Sequence, residues 1–161
     1  MKRGTMFVGN GFDIHKHSVD ASLILGGIEF EGAGFEAHSD GDILLHSLCD
    51  ALLGSVSKKD LGYYFPSNES TPKDISSVEM LDKVLEIIEI DKLVINNIDI
   101  TILSQIINIS KISDQICNNL SKLLKIDESV INVKGKSFDH LGIIGDGTAS
   151  ACIALVSVNN A

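Results

Sequence analysis

The stretch Ala37–Gly54 (AHSDGDILLHSLCDALLG) does most to limit what this chain can fold into. Ile43, Leu44, Leu45, Leu48, Cys49, Leu52 and Leu53 recur at helical spacing over a wide arc, so other elements must cover most of this helix. Ser39 or Asp40 offers an N-cap, and Gly54 a C-terminal stop. Asp42, His46 and Asp50 fall at i, i+4 and i+8, in one row up the remaining side. For the two aspartates alone, a solvated face and a functional face are equally good readings. A histidine between two carboxylates, following the cluster His38-Ser39-Asp40-Gly41, points instead to a metal or phosphate site.

The chain has 161 residues, enough for one domain, 1–161, with a real core. That core is aliphatic, because 44% of residues are hydrophobic and only 5% aromatic. A formal charge of −9 argues against a nucleic-acid backbone or an anionic membrane as partner. Binding phosphates would then require metal ions or backbone amides. Cys49, Cys117 and Cys152 are odd in number and far apart, the pattern of buried thiols in a reducing compartment. No run has the shape of a signal peptide or approaches the roughly 18 apolar residues of a membrane span. The expectation is a soluble, cytoplasmic protein.

Thr5–His15 (TMFVGNGFDIH) reads as a strand in which Gly9 and Gly11 allow a bulge or a close backbone approach. Asp13 and His15 lie two apart and share a face of that strand. Ser22–Glu31 forms a hairpin around Gly26-Gly27, and Gly32–Glu36 a loop before the central helix. Ser57–Ser70, followed by Pro72, is a short turn and then a polar loop of the kind that lines binding sites. Ile75–Ile90 is a second helix with a solvated face of Glu79, Asp82, Lys83, Glu86 and Glu89. Lys92–Gln105 alternates as a long strand, with Asn97, Asp99 and Thr101 opposite Ile98, Ile100 and Ile102. A helix over Ser110–Lys125, a strand over Val130–Lys134, a polar loop to Gly147 and a strand over Ala149–Val158 complete the chain. This order gives an α+β sandwich, a mostly β layer covered on one face by about three helices. The polar residues on the strand faces suggest a subunit interface.

Asp13, His15 and His46 make a set of three N/O ligands, which suits a zinc site with an open fourth position. No cysteine is placed to close it, and His17 is close by as an exposed side chain or a further ligand.

Five segments then bear a common resemblance: GNGFDIH at Gly9–His15, the Ala37–Gly54 helix, DLGYYFPSNE at Asp60–Glu69, NIDITILSQ at Asn97–Gln105, and NVKGKSFDHLGIIGDG at Asn132–Gly147. In this order and spacing they resemble the 2-C-methyl-D-erythritol 2,4-cyclodiphosphate synthase family of the non-mevalonate isoprenoid pathway. The resemblance implies a cytoplasmic bacterial enzyme, a phosphorus-oxygen lyase that cyclises 4-diphosphocytidyl-2-C-methyl-D-erythritol 2-phosphate and releases CMP. It implies zinc on Asp13, His15 and His46, and catalytic roles for His38 and Ser137. His38 and Ser39 would hold the phosphate and erythritol part; Asp60, Leu61, Gly62, Phe65, Ser67 and Glu69 would surround the methylerythritol. Ser104–Ser110, including Asn108 and Ile109, would cradle the cytidine. Lys136, Ser137 and Asp139 would meet the phosphates, with Asp139 on magnesium or manganese. It further implies a homotrimer with active sites at subunit interfaces. The alternatives are a metal-dependent phosphohydrolase on another nucleotide diphosphate and a non-catalytic trimer that binds isoprenoid diphosphate.

Some positions depart from the family pattern. Asp139 stands for a glutamate and Ser67 for an aspartate, and Ile107-Asn108 replaces Pro-Lys. Lys136 stands where a threonine is usual and would offset the missing lysine. Ile143 and Asp146 replace the Phe and Arg near the trimer axis, and an aspartate there would repel a central isoprenoid diphosphate.

Overall fold

The computed structural model describes residues 5–68, 71–72 and 75–161. Five strands form one mixed sheet: β1 (Met6–Leu25), β2 (Ile28–Phe35), β3 (Leu93–Leu103), β4 (Ile131–Lys136) and β5 (Ala149–Asn160), in the order β2-β1-β5-β3-β4. Three longer helices, α1 (Ile43–Ser55), α3 (Ser77–Ile87) and α4 (Ser113–Leu124), accompany it. Two single-turn helices are α2 (Leu61–Tyr64) and α5 (Gly142–Gly145). The expected α+β layering is present.

β1 runs without a break into the first arm of the expected hairpin. Met6–Lys16 pairs antiparallel with β5 and His17–Leu25 with β2, and register shifts on either side of Ser22 interrupt the β1–β2 ladder. Gly26 and Gly27, both at positive φ, make the two-residue turn between Leu25 and Ile28. The segment read as the Gly32–Glu36 loop is mostly the end of β2. In β3 the isoleucines face inward as expected, but Ile95 and Ile98 are both buried at odd spacing. The register shift between Ile95 and Asn97 restores the alternation. β3 and β4 run parallel, and α4 is the crossover between them.

α1 is buried almost all round, as its sequence demanded; His46 and Asp50 are only half-buried and Gly54 is exposed. Its cap differs from the reading of Ser39 or Asp40. Asp42 caps it, accepting from the Leu44 and Leu45 amides and, across to the hairpin, from the Gly27 amide at 2.7 Å. Gly54 lies inside the last turn, which ends at Ser55. The second and third helices are shorter than Ile75–Ile90 and Ser110–Lys125, and β4 and β5 each run two residues further than expected. The segments read as loops at Ser57–Ser70 and Lys134–Gly147 contain α2 and α5.

The face of the sheet away from the helices carries exposed Val8, Phe12, Ile14, Ile153 and Leu155. Register places Phe12 opposite Ile153 on adjacent strands, so these side chains form a continuous apolar patch. Beside it run Asp99, Thr101, Asn132 and Lys134, with Lys134 bonded to Asp99 at 2.7 Å. No helix among the described residues is long and apolar enough to cross a membrane.

Candidate functional site

Two glycines bring the site together. A Cβ on Gly9 would lie 1.9 Å from the Ala51 carbonyl oxygen, and one on Gly11 would lie 1.9 Å from that of Ser47. Their absence lets the α1 backbone rest directly on β1. Ser47 secures the contact from the other side, its hydroxyl donating to the Cys152 carbonyl of β5 at 3.0 Å. At this separation His46, one residue before Ser47, reaches Asp13, two residues beyond Gly11.

Asp13 Oδ2 is the meeting point, with His46 Nδ1 at 2.9 Å and His15 Nδ1 at 3.0 Å. One ligand atom from each of the three residues lies within 4.8 Å of the others. Burial drives the Asp13 carboxyl up, but the two imidazoles more than offset it and hold it at about 2. Burial pulls His46 down, and the hydrogen bond and charge of Asp13 overcome that, so its pKa is raised.

The other side of the His46 ring explains why the imidazole faces this way. Nε2 lies 3.0 Å from Ser77 Oγ and 3.2 Å from Ser39 Oγ. Ser77, fully buried at the start of α3, donates its hydroxyl to Asp40 and its backbone N–H to the same carboxylate at 2.9 Å. With its proton committed to Asp40, Ser77 accepts from His46 Nε2–H. That turns Nδ1 towards a carboxylate oxygen, a contact a proton satisfies in the metal-free protein and a metal ion would satisfy when bound. His15 Nδ1 points the same way: it is buried and has no aligned hydrogen-bond partner. Two imidazole nitrogens and a carboxylate oxygen, one of them otherwise orphaned, fit a divalent metal.

Around the triad is a cleft of about 260 Å³ lined by Asp13, His15, His38, Ser39, Leu61, Gly62, Phe65 and Ser67 among others. Asp13 and His15 are expected zinc ligands, and the other six are expected substrate contacts. His38 Nε2 is held 3.1 Å from the Thr71 carbonyl. Asp60 does not line the cleft; it caps α2, accepting from the Tyr63 amide at 2.9 Å. Glu69 lies outside the described residues. Asp50 lines the cleft and accepts from the Leu61 amide at 2.6 Å, tying α1 to α2; burial raises its pKa. Asp42, the first member of the expected row, is not in the site but fully buried at the cap, where burial raises it to about 6 against the pull of backbone donors.

A second cleft of about 320 Å³ collects Ser104, Asn108, Ile109, Ser110, Lys136 and Ser137. Asp139 and Ile143 line neither cleft; both are exposed, and Asp139 sits at φ 48°. Asp139 belongs to no cluster of metal-capable side chains among the described residues. One chain therefore supplies the candidate metal triad with the residues expected around the erythritol in one place, and the residues expected to meet the nucleotide and phosphates in another.

Sequence reasoning missed Ser77, Thr71, Phe12 and Met80, all of which are at the first cleft or bonded to its residues. Only Ser77 carried a signal, since Ser76-Ser77 precedes an apolar helical run. Ser76 takes the N-cap, its side chain accepting from the Val78 amide, which leaves the Ser77 hydroxyl free to turn inward.

The model of the YgbB family matches residues 6–159. The chain belongs to the YgbB family. Among similar proteins is the 2-C-methyl-D-erythritol 2,4-cyclodiphosphate synthase of Prochlorococcus marinus, 38% identical over 152 residues that cover 92% of each chain. A solved structure of IspF from Plasmodium falciparum in complex with CDP superposes with a TM-score of 0.85 at 36% identity, covering 99% of both chains. The bifunctional IspDF of Campylobacter jejuni gives a TM-score of 0.93 at 32% identity; 99% of this chain corresponds to 43% of that one.

Proposed function

We propose that this chain is a zinc-dependent 2-C-methyl-D-erythritol 2,4-cyclodiphosphate synthase. It converts 4-diphosphocytidyl-2-C-methyl-D-erythritol 2-phosphate to the cyclic diphosphate and CMP. The observation that supports this reading best is the convergence of Asp13, His15 and His46 at the floor of a cleft, in a chain similar over nearly its whole length to synthases of that name.

The reaction brings one phosphate of the substrate onto another, so like charges must be gathered and neutralised. A zinc ion on Asp13, His15 and His46 would supply positive charge that a protein of net charge −9 otherwise lacks. His38, whose Nε2–H donates to the Thr71 carbonyl, stands at the cleft wall and as an imidazolium would offer its Nδ1–H to a phosphate oxygen. The Ser39 hydroxyl faces the same space. Leu61, Gly62 and Phe65 form the wall against which the methylerythritol packs, and Ser67 offers a hydroxyl at its rim. In the second cleft, Ser104–Ser110 presents backbone groups for the cytidine, and Lys136 and Ser137 offer a cation and a hydroxyl to the phosphates.

The two clefts make one site when a second copy brings its Ser104–Ser137 surface to the metal cleft of the first. The uncovered patch of Val8, Phe12, Ile14, Ile153 and Leu155 is the surface through which a homotrimer would assemble. Among the described residues, those of one chain do not form a magnesium or manganese site at Asp139. Such an ion is commonly held by one or two carboxylates together with substrate phosphates, and Asp139 is the carboxylate available for that role.

The test is turnover of the named substrate with magnesium, followed by CMP release. Zinc-loaded protein should release CMP; zinc-stripped protein and His46→Ala should not. CMP release unaffected by either change would refute the proposal.

A further inference from the structure

A second polar chain, not hydrogen-bonded to the metal triad, crosses the neighbouring strands β1, β5 and the end of β3. His17, on β1, places Nδ1 3.2 Å from the Gly34 carbonyl and 3.3 Å from that of Ala33. Its Nε2 lies 2.8 Å from Ser150 Oγ on β5, and Ser150 Oγ lies 2.8 Å from Ser104 Oγ at the end of β3. Ser104 Oγ in turn accepts from the backbone N–H groups of Ile106 and Ile107 at 3.3 and 3.1 Å. Ser150 is fully buried and Ser104 nearly so.

The direction of these bonds follows from chemistry. Carbonyls only accept, so the His17 proton sits on Nδ1, and Nε2 accepts from the Ser150 hydroxyl. Ser150 Oγ and Ser104 Oγ then share one hydrogen bond, and Ser104 Oγ also accepts from the two amides. Each group has one role, and every role depends on the next. The Ser104 end sets the turn through Ile106 and Ile107 that forms one wall of the second cleft. The His17 end is anchored by ring contact with Phe35, centroids 4.7 Å apart, and by its backbone N–H donating to the Thr148 carbonyl at 2.9 Å.

We propose that His17, Ser150 and Ser104 are positioning residues that hold the Ser104–Asn108 turn in the shape that receives the cytidine nucleotide. The inference rests on the reading of the second cleft as the nucleotide site. Ser150 is paired with His15 across β1 and β5, but among the described residues no side-chain hydrogen bond joins the relay to the metal triad, so its effect is expected on nucleotide affinity rather than on the phosphoryl-transfer step.

The probe is CDP, titrated calorimetrically into the zinc-loaded assembled protein. Ser150→Ala and Ser104→Ala should each weaken CDP about tenfold, and the double variant should be no worse than either single one, because the residues act as one unit. With the substrate, the KM of Ser150→Ala should rise in the same proportion while its kcat and zinc stoichiometry stay at wild-type values. Equal CDP affinity in all four proteins would overturn the relay and leave the nucleotide reading intact. Independent, multiplying losses would also overturn it. Absence of CDP binding by the wild type would overturn the nucleotide reading, and the relay's role with it. Should a variant not fold, the imidazole nitrogen spectrum of wild-type His17 decides: a proton on Nδ1 is expected, and a proton on Nε2 alone would overturn the relay.

Discussion

Adding one methyl group at Gly11 should dismantle the metal site from a distance. In Gly11→Ala the new Cβ would meet the Ser47 carbonyl oxygen at 1.9 Å, the Ala51 amide nitrogen at 2.9 Å and the Asp50 Cβ at 2.9 Å. The first two are backbone of a helix buried on nearly every side, so no side chain can swing away. Reaching ordinary contact requires α1 and β1 to separate by roughly 1.5 Å in a close-packed interior. Overpacking of this kind costs about 1–3 kcal/mol where side chains yield; against rigid backbone we expect at least about 3 kcal/mol. For a chain of this length that lowers Tm by about 6 °C or more. The same displacement carries His46 away from Asp13 and His15, and a misplacement of about 1 Å is enough to lower turnover about a hundredfold.

Gly54→Ala is the matched control. That glycine is exposed in the last turn of α1, and a Cβ there would find only ordinary contacts at 3.8 Å. Alanine for glycine in a helix should leave zinc content and turnover unchanged and stabilise by about 0.5–1 kcal/mol. Thermal melts, metal content and CMP release on the two variants give the comparison. A Gly11→Ala protein that melts within about 1 °C of wild type and retains zinc and turnover would refute the close-approach reasoning.

Three further outcomes are expected. Ser77→Ala should fold but bind zinc about 10–100-fold more weakly, because His46 loses the partner that turns Nδ1 to the site; competition with a chelator reads this directly. In zinc-stripped protein, the stability margin of wild type over His46→Ala should depend on pH. Asp13, with its folded pKa depressed to about 2, contributes above its unfolded value near 3.8 and loses that contribution as pH falls toward 2. His46, with its folded pKa raised, contributes fully below 6.5 and loses that contribution as pH rises through its folded value. The margin should therefore be widest between about pH 4 and 6.5, and a margin flat across pH in denaturant titrations would contradict the ion pair. Finally, inactive His46→Ala and inactive Ser137→Ala subunits, unfolded and reassembled together, should regain turnover that neither has alone; no recovery would contradict a site shared between chains.

The sequence carried the site's chemistry further than its architecture. Asp13 and His15 were legible because strand alternation puts residues two apart on one face, and His46 because helical spacing left it outside the apolar arc. Gly9 and Gly11 signalled a close approach, but not what approaches, since the packing of α1 on β1 is a long-range fact. The helix start was misread because Ser39, Asp40 and Asp42 are all good caps, and only the hairpin amide of Gly27 decides among them. Asp42 left the expected row for the same reason. α2 lies in a segment read as a short turn and polar loop, and glycine-rich polar composition made α5 read as loop; each is a single turn too short for periodicity to show. The partners of Ser77 and Ser150 were not legible, because a buried serine reports its partners only when distant elements are assembled.

The decisive measurement is phosphorus NMR of the product formed from 4-diphosphocytidyl-2-C-methyl-D-erythritol 2-phosphate by the zinc-loaded protein with magnesium. A cyclic diphosphate appearing in step with CMP, and absent with zinc-stripped protein, is the expected result. CMP accompanied by a linear product would mean that water, and not the substrate's own phosphate, reaches the phosphorus, and would contradict the cyclisation proposed here.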